Sequence, residues 1–224
     1  MAGDEEAGKL HRLPSGKHGL PREYVSRNHR ERLTAGVIAA VAEHGFRDAG
    51  VTQIAAFAGV SRRTFYDYFS DKDECYFAAY GPIEESLLQI ISEAGEGQRG
   101  WTAKVRVRAQ SLVDVLAANP NLVRFAILAP PTAGGKVVER QRKFLRRLLD
   151  RLTADAPEGR GYVRPGDEEL EALAGAMAAV FGTRVADGKA SRLPEDVPQL
   201  VEMILVPFVG RRRAAAEAET AGPR

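Results

Sequence analysis

Apolar residues recur at intervals of three and four along almost the whole of this 224-residue chain. Nowhere do they alternate with polar residues over a sustained stretch. The first period buries one face of an α-helix, whereas a half-buried strand needs alternation. The pattern therefore predicts an all-α protein of about nine helices. The first carries Leu33, Val37, Ile38, Val41 and His44 on one face and stops at Gly45. Two short helices follow, Val51 to Ala58 and Arg62 to Phe69, and a longer one starts at Asp71 with Pro82 inside it. Further helices are expected over 101–118, 121–129, 136–153, 167–187 and 195–218, separated by Pro- and Gly-rich breaks. Residues 1–20 have no periodicity and read as a basic arm, and 220–224 as a tail.

Composition narrows the function classes. Between Lys9 and Arg32 seven Lys or Arg stand against Glu23 and Glu31, although the whole chain carries a formal charge of only +2. A single cysteine, Cys75, excludes an internal disulfide framework and multi-cysteine metal sites, and fits a reducing compartment. The first ten residues contain no apolar run of the secretory kind, and Leu170 to Gly182 is interrupted by Glu171 and is too short to span a bilayer. A cytoplasmic protein with no membrane partner is expected. All four histidines (His11, His18, His29 and His44) lie in the first forty-four residues, so Ser-His and Cys-His nucleophile pairs cannot assemble in the rest. Glu84-Glu85 and Glu168-Glu169 read as solvated helix surface. Gly95 to Gly100 satisfies GxGxxG but follows a helical pattern instead of a strand, so it reads as a loop. The chain is not expected to be an enzyme, and no metal or cofactor is expected.

The informative stretch runs from Val51 to Phe69. Ile54, Ala55 and Ala58 make a short apolar face, and Gly59 can stop the helix with left-handed backbone angles. Ser61 can cap the next helix, and Val60 and Phe65 can pack inward. Two short helices joined by a Gly-containing turn form a helix-turn-helix. Arg62, Arg63, Thr64, Tyr66 and Tyr68 then crowd the second helix with donors suited to base edges and phosphates.

In this order the residues resemble the DNA-binding end of the TetR family of bacterial regulators. The resemblance rests on Ile54-Ala55, Ala58-Gly-Val-Ser61, Thr64-Phe-Tyr66, Tyr68-Phe69 and Ser70-Asp-Lys-Asp73, with Ala39-Ala40 and Glu43-His-Gly-Phe46 upstream. It covers residues 28 to 77. Where the family usually has two threonines before the first motif helix, this chain has Ala49 and Gly50, with Thr52 and Gln53 as possible substitutes for the missing hydroxyl.

The resemblance implies base-edge readout by Arg62, Arg63 and Thr64, with Thr52 and Gln53 near the DNA. It implies phosphate contacts from Tyr66, Tyr68 and Lys72, with Ser61 capping. Basic residues before the motif, among them Arg12, Lys17, Arg22, Arg27 and Arg30, are candidates for phosphate or minor-groove contact. It also implies a DNA-binding domain over 21–70 and a ligand-binding and dimerisation domain over 71–219. On that reading the protein is a repressor that binds a palindromic operator as a homodimer and is released by a small-molecule effector; the alternative is a DNA-binding dimer without an effector. Small residues of the 167–187 helix and the apolar stripe from Val197 to Phe208 suit a dimer through the last two helices. Trp101, Phe125, Phe144, Met177 and Phe181 are the candidate effector contacts, and Arg106, Arg108 and Arg124 read as solvated.

Overall fold

A computed structural model describes residues 21–159 and 161–219. The expectations for the arm, including Arg12, Lys17, His11 and His18, and for the tail lie outside the described residues. Among the described residues ten α-helices form: α1 (Arg22–Asp48), α2 (Val51–Ala58), α3 (Arg62–Tyr66), α4 (Lys72–Ala94), α5 (Trp101–Ala118), α6 (Pro120–Val123), α7 (Gly135–Leu152), α8 (Asp167–Ala186), α9 (Val197–Val209) and α10 (Arg211–Glu219). No strand forms among the described residues, and no single described helix is long and apolar enough to cross a membrane.

The described residues divide into two compact units, one ending at Pro82 and the other starting at Ile83. In the first, Leu33, Val37 and Val41 of α1 are buried, as are Ile54, Ala55 and Ala58 of α2. The opening turns of α4 belong to this unit. Tyr76 packs edge-on against Phe46 at 5.0 Å between ring centres, and the buried Cys75 thiol donates to the Leu33 carbonyl at 3.6 Å. Burial pushes that thiol's pKa up to about 12, which makes it a poor nucleophile. Gly45 breaks α1 as expected, at φ +76°. The break turns Phe46 inward and leaves His44, expected on the inner face, exposed.

In the second unit three sequence expectations change. Glu84 is not solvated surface: it is 1% exposed and ion-paired to Arg140 of α7, with Arg147 at 3.9 Å. Arg108 is buried and Arg106 half-buried. Arg108 donates to the Ala154 carbonyl at 3.1 Å, and Arg106 lies 3.3 Å from Glu217. The expected 195–218 helix breaks at Gly210, φ +77°, giving α9 and α10. The carbonyl of Phe208 then accepts from the Val163 amide at 2.8 Å.

The expected 121–129 helix is also remodelled. α6 gives way to a wider turn over Arg124–Leu128, closed by the Ala129 amide on the Arg124 carbonyl at 2.9 Å. Pro130 and Pro131 follow, and neither has an N–H to offer the carbonyls four residues back, those of Ala126 and Ile127. Buried Gln141 of α7 supplies both missing donors, its side-chain amide reaching Ala126 O at 3.1 Å and Ile127 O at 2.8 Å. Replacing it removes partners from two carbonyls at once. Gln141→Met, similar in volume, should destabilise the protein by about 2–3 kcal/mol, measured as a lowered urea midpoint with an unchanged slope.

Candidate nucleic-acid interface

The interface is built around the turn between α2 and α3. Gly59 takes left-handed angles, φ +62° and ψ +36°. Its amide then reaches the Ala56 carbonyl at 3.0 Å while the Val60 amide reaches Ala55 O at 3.0 Å. This double closure satisfies helix-end carbonyls and reverses the chain within two residues. The carbonyls of Ala58 and Gly59 are taken by a residue from another helix. Arg32 of α1, 7% exposed, donates from Nε to Ala58 O at 2.9 Å and from Nη2 to Gly59 O at 2.6 Å. At Gly36, one turn along, α1 and α2 come closest. A methyl group there would fall 2.8 Å from the Ile54 carbonyl oxygen and 2.9 Å from the Ala58 nitrogen. Neither residue was singled out from the sequence. Glycine inside a strong helical pattern, and an arginine in register with the buried Leu33–Val37–Ala40 stripe, are the signals that mark them.

Ser61 caps α3, its Oγ accepting from the Thr64 amide at 3.0 Å and lying 2.9 Å from Thr64 Oγ1. Thr64 is thus partly engaged within the helix. Phe65 is fully buried and fixes the inner face of α3. Arg62 and Arg63 are exposed on the first turn, and neither side chain has an ion pair or hydrogen bond among the described residues. Tyr66 is exposed as well, at 53%. The helix ends at Tyr66, three residues earlier than expected, because the chain tightens: the Tyr68 amide bonds Phe65 O at 3.0 Å.

Around this helix the other candidates take definite places. Gly50 opens α2 in the expected capping position, and its amide donates to Gln53 Oε1 at 3.2 Å; the amide nitrogen of Gln53 remains for another acceptor, and Thr52 is exposed. The Tyr68 hydroxyl lies 3.3 Å from His29 Nδ1 of α1. Arg30 stacks over the Phe69 ring at 5.0 Å, and exposed Arg27 stands 4.0 Å from Glu31. Lys72 is engaged within the unit. Its ammonium donates to the Phe46 carbonyl at 2.6 Å and lies 4.3 Å from the centre of the Phe46 ring. Desolvation there holds its pKa below the ordinary lysine value, against the pull of Asp73 and Asp48. The side chain closes the broken end of α1 instead of pointing freely to solvent.

The comparisons with known proteins agree with this geometry. Residues 36–79, which contain α2, α3 and the turn between them, match the model described as bacterial regulatory proteins of the tetR family. The chain carries a DNA-binding domain of the TetR family. The transcriptional regulator BetI of Serratia proteamaculans is 34% identical over 95 residues, 42% of this chain and 41% of that protein. Over the first curated relatives matched, the chain thus spans about half of their length or less, 41% and 51%. The transcriptional repressor AcnR of Corynebacterium diphtheriae is 26% identical over 175 residues, 77% of this chain and 89% of that one. Among solved structures, FadR of Bacillus subtilis in complex with stearoyl-CoA superposes with a TM-score of 0.66 at 17% identity. That match covers 79% of this chain and 98% of the other and shows a shared fold.

Within this TetR-type domain, the clamp from α1 should be separable from the exposed side chains. Arg32→Met should lower stability by about 2–4 kcal/mol, since the buried Ala58 carbonyl and the partly buried Gly59 carbonyl lose charge-assisted partners. Gly36→Ala should lower it by about 1–3 kcal/mol through overpacking. Both are read from thermal unfolding without DNA, where Arg62→Ala and Arg63→Ala should stay within about 0.5 kcal/mol of the parent.

Proposed function

We propose that this protein is a transcriptional regulator, a repressor, that binds a palindromic operator as a homodimer and is released by a small-molecule effector in its second unit. The observation that carries the reading is the pair of guanidinium groups on the first turn of α3 that have no partner among the described residues. Phe65 and Ser61 do the folding work of that helix, so Arg62 and Arg63 have no internal task. A guanidinium fork matches O6 and N7 of guanine in the major groove. Thr64, Thr52 and Gln53 complete the base-facing set. Tyr66, Tyr68, Arg27 and Arg30 meet phosphates and set the register of the helix on the duplex. Lys72 contributes charge beside them while holding the end of α1.

Reading a palindrome needs two copies, because half-sites one helical turn apart, about 34–36 Å, require a two-fold protein. The proposed dimer face is on α8 and α9. Ala172, Gly175, Ala176 and Ala179 of α8 are exposed, while Ala174, Ala178 and Gly182 pack inside. Small exposed side chains let a partner helix approach closely. Arg184 of α8 forks onto buried Asp196, with Nε to Oδ2 at 2.6 Å, and so fixes α8 against the turn leading into α9.

AcnR is a repressor by name and FadR of Bacillus subtilis was solved with stearoyl-CoA, which supports repression relieved by a ligand. One observation favours the second reading, a dimer without an internal effector. Trp101, Phe125, Phe144, Met177 and Phe181 are all buried in the core, and none of them borders the second unit's hollows at α7–α8, at Ile127–Thr183 or beside Phe208. The Trp101 indole instead donates to the Thr153 carbonyl at 3.1 Å.

Fluorescence anisotropy on duplex from the protein's own upstream region tests the DNA reading. Arg63→Ala should cut the preference for that duplex over a scrambled one by about 1–3 kcal/mol, while Tyr66→Phe should weaken both duplexes alike. Equal affinity of the parent protein for the two duplexes at near-physiological salt would refute the proposal.

A further inference from the structure

Between Lys136 and Arg151, helix α7 carries seven basic residues and two acidic ones. Four of the cations, Arg142, Lys143, Arg146 and Arg147, fall at i, i+1, i+4 and i+5, and together with Glu171 of α8 they line a hollow of about 400 Å³. Like charges four residues apart repel across a helix surface. Here two such pairs stand side by side. A merely solvated helix face spreads its charges outward, but these side chains border one concavity.

Three of the four cations are tethered from outside that concavity. Lys143 Nζ lies 2.7 Å from Glu139, Arg146 reaches Asp150 at 3.0 Å and Asp167 at 2.8 Å, and Arg147 stands 3.9 Å from the buried Glu84. None of these four carboxylates borders the hollow. Only Glu171, held by Arg142 Nε at 3.1 Å, does. The tethers therefore orient the cations while leaving an excess of positive charge facing inward. Three of the four are arginines, whose planar forks grip phosphoryl oxygens in pairs.

We propose that this cleft between α7 and α8 binds the phosphoryl head of a small molecule bearing two or more phosphates. The concavity is sized for a head group, not for the flat run of a duplex backbone. The site stands apart from the DNA-reading proposal; where that reading holds, it gives the effector a chemical class.

Titration calorimetry of the full chain with sodium tripolyphosphate, without DNA and at low ionic strength, tests it. The parent protein should bind saturably, and sulfate at matched ionic strength should not compete. Arg142→Gln with Arg147→Gln should weaken binding at least about tenfold, or 1.4 kcal/mol, whereas Arg62→Ala with Arg63→Ala should leave it within about twofold. If circular dichroism shows the double variant unfolded, Arg142→Gln alone serves, since Arg142 pairs only at the surface, and it should weaken binding at least about threefold. Absence of saturable binding, unchanged affinity in the cleft variant that folds, or loss of binding in the Arg62/Arg63 variant would each overturn the proposal. So would displacement of tripolyphosphate by scrambled duplex in the Arg62/Arg63 variant, which would make the cleft a nucleic-acid surface.

Discussion

Between α2 and α3 the chain has to reverse within a few residues while carbonyls at the end of one helix and an amide at the start of the next find partners. Gly59 makes the reversal possible by adopting left-handed angles, Arg32 takes two of the carbonyls and Ser61 takes an α3 amide. Gly36 lets α1 come near enough for Arg32 to reach. The direction in which α3 presents its side chains is therefore set from α1. Without the Arg32 guanidinium, the buried Ala58 carbonyl and the partly buried Gly59 carbonyl would lose their charged partner beneath the surface proposed to meet DNA.

The second unit solves a comparable problem by other means. Two consecutive prolines deprive a helix end of its donors, and one amide side chain from α7 restores both bonds. The same helix turns an arginine-rich face outward and anchors part of it to Glu84, a carboxylate just past Pro82 in α4. α7 thus combines an inner face that completes its neighbours' hydrogen bonds with an outer face of tethered charge. A carboxylate taken into the interior is tolerated only with such partners, because leaving it unpaired there is costly.

Much of this was legible in the sequence because the signals are local. Helical spacing gave the fold class, and the Gly59 stop and Ser61 cap follow from backbone geometry within three or four residues. What was not legible depends on partners far apart along the chain. Arg32 meets residues 26 and 27 positions away, Lys72 meets Phe46, and Glu84 meets Arg140. A charged residue next to solvent and one bound to a distant carbonyl look alike in one dimension. The aromatic set from Trp101 to Phe181 shows the same ambiguity: spacing identifies buried residues, but it does not separate a packed core from a cavity wall. The break at Gly210 was missed because the apolar stripe of α9 is followed by a strong helix-forming run, and only the glycine and Pro207 mark the interruption.

Because the Arg62 and Arg63 side chains have no partner among the described residues while Arg32, Gly36 and Gly59 hold the geometry of the head, mutational tolerance here is split between two neighbouring sets of residues. On the proposed DNA reading, the first set can be exchanged for a different target sequence at little thermodynamic penalty. Drift in the second set would erase the head altogether. A scaffold divided in this way lends itself to duplication and divergence, with new wiring arising from one or two codons.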